Sequence, residues 1–298
     1  MASETLERLP RASNDPNFPF YHEFKTYSRG LDNIYLVTGD ESYLQDLLIL
    51  VQHKLDHHIH QTLKGFGTSD DRGYTLTVGA IPMILREVDF VLGGRAISQK
   101  EKQKILSQLA FLGYLYSYDV FWPVERGYNM GNTNMTLGVY ATLGKIGCSL
   151  KTHPMAEEWA KSAIKGINVS LDNHHLPDTT QDEWYGHLTL DMITQAGVFL
   201  KTAGFHNVFD DLRYKYGLDF YGQLLTPTDP RCNARYIAPF DNGQATWNRS
   251  AVWGIAAYMM KESHPNFSER MQYYWKRAGM PVGMKIGDRS NYGWMSLG

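Results

Sequence analysis

The chain has 298 residues and a formal net charge of -2, which is length enough for one large core or two domains. A near-neutral balance argues against a nucleic-acid binder, which would carry a clear excess of Lys and Arg. No run of about 18 apolar residues occurs, so nothing reads as a membrane span. Cys148 and Cys232 have neither zinc-site nor disulfide-framework spacing. They read as two buried free thiols, with one bridge as the alternative.

Met1–Pro16 is polar and Pro-containing and lacks the apolar centre of a secretory signal. From about residue 20 the apolar spacing turns helical. Tyr21–Thr38 carries Phe24, Tyr27, Leu31, Ile34 and Tyr35 and breaks at Gly39-Asp40. Tyr43–Leu63 follows with Leu44, Leu47, Leu48, Leu50, Val51, Leu55 and Ile59. Together they predict an antiparallel helix pair with a short connection. Gly65–Gly73 is a loop of Gly, Asp and Ser. Tyr74–Leu92 predicts a helix ended by Gly93-Gly94. Ser98 and Glu101 fit a capping box that opens a helix to about Tyr118. Phe121–Gly131 is a loop with Trp122-Pro123.

Asn132–Ile146 predicts the next helix, with a stop near Gly147. Further helices are predicted over Pro154–Leu171, Glu183–Thr202 with a stop at Gly204, His206–Leu225 at least in its first half, Gly243–Lys261 and Asn266–Gly279. Asn173–Gln181 and Thr226–Asn242 are Pro-containing loops, and Pro281–Gly298 is Gly-rich and irregular. No strand alternation stands out. About ten helices in consecutive pairs, with longer loops at every second joint, predict a solenoid or a closed ring of inner and outer helices. The ring, an α/α toroid, fits better, because no fixed repeat signature is visible.

Asp182-Glu183-Trp184-Tyr185-Gly186-His187-Leu188 is the densest group of reactive side chains. A phenol, an imidazole, an indole and two carboxylates stand at the start of a helical apolar run. A helix start offers free N–H groups and partial positive charge, which suits anionic substrates. The same residues read equally as an ordinary aromatic helix start.

Several stretches resemble the toroid domain of heparinase II/III-like and alginate-lyase-like polysaccharide lyases. Tyr35-Leu36-Val37-Thr38-Gly39-Asp40-Glu41-Ser42-Tyr43 resembles their early YxxTGDxxY helix–turn–helix. Asn129-Met130-Gly131-Asn132-Thr133-Asn134-Met135 sits where such lyases carry an Asn motif that opens an inner helix. Asp182–His187 sits where they carry the tyrosine segment. Arg235-Tyr236-Ile237-Ala238-Pro239-Phe240-Asp241-Asn242-Gly243 resembles their late loop. The Asn segment lacks the Asn-His pair of several of these families, and the late loop has Asp241-Asn242 where Gly-Asp is commoner.

The fold so implied is all-α: an incomplete (α/α) toroid of about five helix pairs, without the C-terminal β-sandwich of larger relatives. The toroid would span 21–280, between an irregular segment 1–20 and a tail 281–298. The implied reaction is β-elimination on a uronic-acid-containing polysaccharide or oligosaccharide, with no cofactor, metal, nucleic acid or membrane. Secretion or a periplasmic location comes with the resemblance.

Cleavage of a uronate removes a weakly acidic C5 proton and expels the C4 oxygen. The carboxylate must be neutralised, a base must take the proton and an acid must protonate the leaving oxygen. Asn amides donate N–H groups without adding a base, which points to Asn132 and Asn134, with Asn129 beside them; capping of the helix is the alternative for each. Tyr185 is the expected acid. His187, His174, His175 or Tyr185 itself is the expected base. Tyr185 and His187 can share a pocket if their segment is not helical, whereas a regular helix makes them diverge.

Arg72, Arg235 and Arg249 are candidate carboxylate clamps. Trp184 and Trp247, with Trp122, are candidate stacking platforms. His53 and His57 are one turn apart, but the more ordinary reading is a polar face rather than a metal site. A glycoside hydrolase using Asp182 or Glu183 with Asp241, and a non-catalytic glycan binder, are the alternative functions.

Overall fold

The computed structural model describes residues 31, 34–65, 85, 87–118, 133–174, 183–228, 230, 235 and 251–280. For residues 57, 61, 62, 64, 65, 133–135, 173, 174 and 183–188 it describes the backbone alone. Among the described residues helix accounts for 79% and strand for none, which is consistent with the all-α class that the apolar periodicity predicts. Two compact units are present, Met1–Leu115 and Tyr116–Gly298.

The first unit contains α1 (Ser42–Gly65) and most of α2 (Gln99–Tyr116). Leu44, Leu47, Leu48, Val51 and Leu55 bury one stripe of α1, and Ile105, Leu109 and Leu112 bury one stripe of α2. Full burial of each such side chain contributes about 1.5–3 kcal/mol before ordering costs. The Gly39-Asp40 break is real. Gly39 takes a φ of 66, which L side chains avoid, and its N–H bonds back to Tyr35 O at 2.7 Å. Asp40 Oδ1 then accepts from Ser42 N at 2.9 Å, capping α1. Thr38 Oγ1 donates to Ile34 O and accepts from Asp40 N. The Thr-Gly-Asp string is thus a helix stop followed directly by a helix start.

The capping box before α2 also forms. Glu101 N donates to Ser98 Oγ at 3.3 Å and Ser98 N donates to Glu101 Oε2 at 3.0 Å. Lys54 of α1 pairs with Glu87 of the helical stretch 87–93 at 2.6 Å, and Glu41, just before α1, accepts through Oε2 from Ala96 N, just before α2, at 3.2 Å. Residues 87–93 are helical up to Gly93, in line with the expected Gly-Gly stop.

The second unit contains α3 (Thr133–Ser149), α4 (Ala156–His174), α5 (Glu183–Ala203), a 3-10 turn at Val208–Asp210, α6 (Leu212–Gln223), α7 (Ala251–Met260) and α8 (Pro265–Arg277). Chain neighbours pack as pairs, closest for α3 with α4 and for α7 with α8. Alternate helices also touch: α3 with α5, α5 with α7, α4 with α6 and α6 with α8. The six helices therefore stand in two rows. Trp159, Trp253, Tyr214 and Phe209 are among the largest buried side chains described in this unit. Trp253 Nε1 donates to Leu218 O at 3.1 Å, so its polar atom is satisfied.

Three expected boundaries move. The stop near Gly147 does not occur, and α3 runs on to Ser149. Gly147 is there for close approach: a Cβ on it would lie 2.7 Å from Ala156 O of α4. The single helix expected over His206–Leu225 is broken, because Asp211 takes extended backbone and accepts from Arg213 N, which starts α6 afresh. Residues expected in the loop after Leu171 remain helical to His174. The stop at Gly204 holds, with a φ of 79.

Candidate functional site

α5 opens at Glu183, so Trp184, Tyr185, Gly186 and His187 have helical backbone. At 3.6 residues per turn, positions 185 and 187 are separated by about 200° of rotation around the helix axis. This removes the condition under which the two would share a pocket. Position 134 lies in the first turn of α3. Asn129, Asn132, Arg72, Trp247, Arg249, Asp182, His175 and Asp241 lie outside the described residues. Arg235 is described: its Nη1 donates to Thr226 O at 2.9 Å, tying it to the backbone that follows α6.

The helices opened by the Asn and Tyr segments, α3 and α5, are direct neighbours, and a polar cluster sits in their interface. Lys145 of α3 is 1% exposed; Asp191 and Gln195 of α5 are each 5% exposed. Lys145 Nζ donates to Gln195 Oε1 at 2.8 Å, and Gln195 Nε2 donates to Asp191 Oδ2 at 2.8 Å. The amide relays between the amine and the carboxylate, and its two ends are oriented by their opposite demands. The Phe199 ring centroid lies 6.0 Å from Nζ. Burial pulls the Lys145 amine down to about 7, opposed by the negative charge of Asp191.

Asp191 also acts toward α6. Tyr214 is completely buried. Burial holds its hydroxyl well above the ordinary phenol range; the Thr194 bond opposes that and the Asp191 charge adds to it. Cys148, one turn along α3 from Lys145, is a free thiol pushed up by burial to about 12, with Lys151 opposing. The Cys148 thiol and the Tyr214 hydroxyl therefore keep their protons at neutral pH.

This cluster was missed in the sequence, although a signal was present. Leu137, Ala141, Lys145 and Cys148 recur at helical spacing on α3, so Lys145 occupies an apolar stripe. Asp191 and Gln195 likewise interrupt the apolar run of α5 one turn apart.

A second cluster of charged and titratable groups lies at the surface. His264 Nε2 is 2.8 Å from Asp210 Oδ1 and 2.9 Å from Lys215 Nζ. Asn207 Nδ2 donates to Asp210 Oδ2 at 2.7 Å. These contacts bind the 3-10 turn and α6 to the start of α8. Among the described residues no group of three or more His, Cys, Asp and Glu could hold a metal ion, and no helix is long and apolar enough to cross a membrane.

No family model, curated protein or solved structure matches the chain.

Proposed function

We propose that the chain is a polysaccharide lyase that cleaves a uronate-containing glycan by β-elimination on an (α/α) toroid. The observation that carries this reading is the direct packing of α3 on α5, the helices that the Asn and Tyr segments open. The two rows of alternating helices in the second unit are the packing that a toroid of helix pairs requires.

In the proposed reaction Asn132 or Asn134 donates amide hydrogens to the uronate carboxylate, so that negative charge can build there as the C5 proton leaves. The base takes that proton, the electron pair forms the C4–C5 double bond, the C4–O bond breaks, and the Tyr185 hydroxyl protonates the departing oxygen. The separation of positions 185 and 187 around α5 favours His174, His175 or Tyr185 itself over His187 as the base. Arg72, Arg235 and Arg249 would hold neighbouring carboxylates, and Trp184 and Trp247 would stack on sugar rings.

The test is incubation with a panel of uronate polymers while ultraviolet absorbance is followed. A rise reports the conjugated double bond left by elimination. Reducing ends formed without absorbance would instead mark a hydrolase, and binding without product a glycan-binding protein. Tyr185→Phe is expected to fold normally and to lose turnover by at least about a hundredfold, the usual size of an acid–base contribution.

A further inference from the structure

His264 is the last residue before α8, and its backbone is held from both sides. Its N–H donates to Met260 O of α7 at 2.8 Å, and its carbonyl accepts from Ser268 N of α8 at 2.9 Å. Pro265 follows it and starts α8, and the imidazole makes no cap bond to that helix. The ring turns instead to two groups of opposite charge. Nε2 lies 2.8 Å from Asp210 Oδ1 of the 3-10 turn and 2.9 Å from Lys215 Nζ of α6.

One ring nitrogen cannot hydrogen-bond to both, because it carries either a proton or a lone pair. With the lone pair it accepts from the Lys215 ammonium, and Asp210 faces an atom with nothing to donate. With the proton it donates to Asp210, and Lys215 faces an atom that cannot accept. The imidazolium has no choice, since both its nitrogens carry protons. It bonds Asp210 and repels Lys215. The neutral ring can take either tautomer, and burial decides between them. Asp210 is exposed and keeps the Asn207 amide at 2.7 Å whatever the ring does. Lys215 is partly buried, and among the described residues Nε2 is its acceptor. An unmet polar group costs more where water is scarcer, so the bare Nε2 facing Lys215 is the favoured neutral form.

Among the described residues, Asp210 and Lys215 are the charged groups in contact with the ring, and those on the packed elements are engaged elsewhere. Asp211 and Arg213 of the α6 start pair with each other, and Arg213 also holds Asp172 and Asn168 of α4. Lys201 of α5 donates to Met259 O, and Arg270 of α8 pairs with Asp219 of α6. Lys261 and Glu262, on the loop that carries His264, are exposed, and Lys261 lies over the Tyr258 ring.

We propose that His264 is a proton-operated selector at the head of α8. Neutral, it ties α8 to α6 through Lys215. Protonated, it releases Lys215 and ties α8 to the 3-10 turn through Asp210. Histidine changes charge between about pH 5 and 8, so mild acidification exchanges one anchor for the other. The inference goes beyond the proposed reaction and does not depend on it.

Ring-nitrogen NMR of the whole chain labelled with 15N-histidine tests it, because bare and protonated imidazole nitrogens resonate far apart. The His264 ring is assigned through its own backbone signals, so the wild type is sufficient to refute the selector. At about pH 8 the wild type is expected to show a bare Nε2 and a protonated Nδ1. Lys215→Met, a surface change that removes the ammonium, is expected to move the proton to Nε2, toward Asp210. At about pH 5 both proteins should show the doubly protonated ring. A wild-type ring with its proton on Nε2 at the higher pH would overturn the selector, and so would a tautomer that Lys215→Met leaves unchanged.

Discussion

The Tyr214 hydroxyl donates to Thr194 Oγ1 across 2.7 Å, and the direction of that bond is fixed by a second one. Thr194 Oγ1 lies 2.6 Å from Leu190 O of its own helix and gives that carbonyl its single proton. Tyr214 on α6 must therefore be the donor, and α5 the acceptor. Tyr214→Phe removes one bond and leaves Thr194 paired with Leu190. Chemical denaturation should show a loss of about 1 kcal/mol with an unchanged slope in denaturant. Thr194→Val strands the tyrosine hydroxyl in the core and should cost more, about 1–3 kcal/mol. The reverse order would mean that the bond runs the other way.

Gly144 gives a second prediction. A Cβ on it would lie 2.3 Å from the Ala163 Cβ of α4, so the methyl of one helix sits against the bare backbone of the other. Gly144→Ala gains up to about 1 kcal/mol in helix propensity but forces the pair apart, and overpacking of this kind costs about 1–3 kcal/mol. The melting temperature should fall. Adding Ala163→Gly should recover part of the loss, whereas two independent sites would simply add. Gly93, with nothing within 4 Å of its missing Cβ, is the control: Gly93→Ala should change stability by less than about 1 kcal/mol.

The buried amine also makes global stability depend on pH. Lys145 titrates at about 7 in the fold against 10.5 when unperturbed, so between those values the unfolded chain holds the extra proton. Its contribution to stability therefore rises with pH, at most by about 1.4 kcal/mol per unit. Cys148 acts in the opposite sense: its folded value of about 12 exceeds the ordinary 9.0, so stability falls once the unfolded thiol ionises. The net rise should appear between about pH 7 and 9 and flatten above that. Denaturation midpoints measured across this range for the wild type and for Lys145→Met should diverge; parallel curves would rule out the buried titration.

Cys148 supplies a chemical readout of the same interior. A thiol displaced from 9.0 to about 12 has roughly a thousandfold less thiolate at neutral pH. In a Cys232→Ser background, native Cys148 should react with a thiol reagent about that much more slowly than free cysteine. Labelling within tenfold of free cysteine would show that the site opens readily.

What the sequence disclosed was mostly local chemistry. The Ser98–Glu101 box, the Gly39 turn and the Gly204 stop all depend on residues within a few positions of one another, and all three formed as expected. Gly147 misled because its reason lies in another helix: it makes room for Ala156 rather than ending α3. The break at Asp211 was missed because the apolar spacing continues on both sides of it. Lys145, Gln195 and Asp191 are one step harder. Each is a single polar residue within an apolar run, and what unites them is a contact across 50 residues of chain. The shared pocket for Tyr185 and His187 was conditional on a non-helical approach to α5, and the backbone of 183–188 is helical.

The hinge between residues 34–38 and α1 has a bearing on ancestry. Every member of its Thr-Gly-Asp string is accounted for by the bond it makes or the backbone angle it permits. Any chain that must turn sharply from one helix into the next can arrive at those letters independently. Shared spelling at this joint is therefore a sign of common geometry, and kinship has to be sought in residues whose identity no turn dictates.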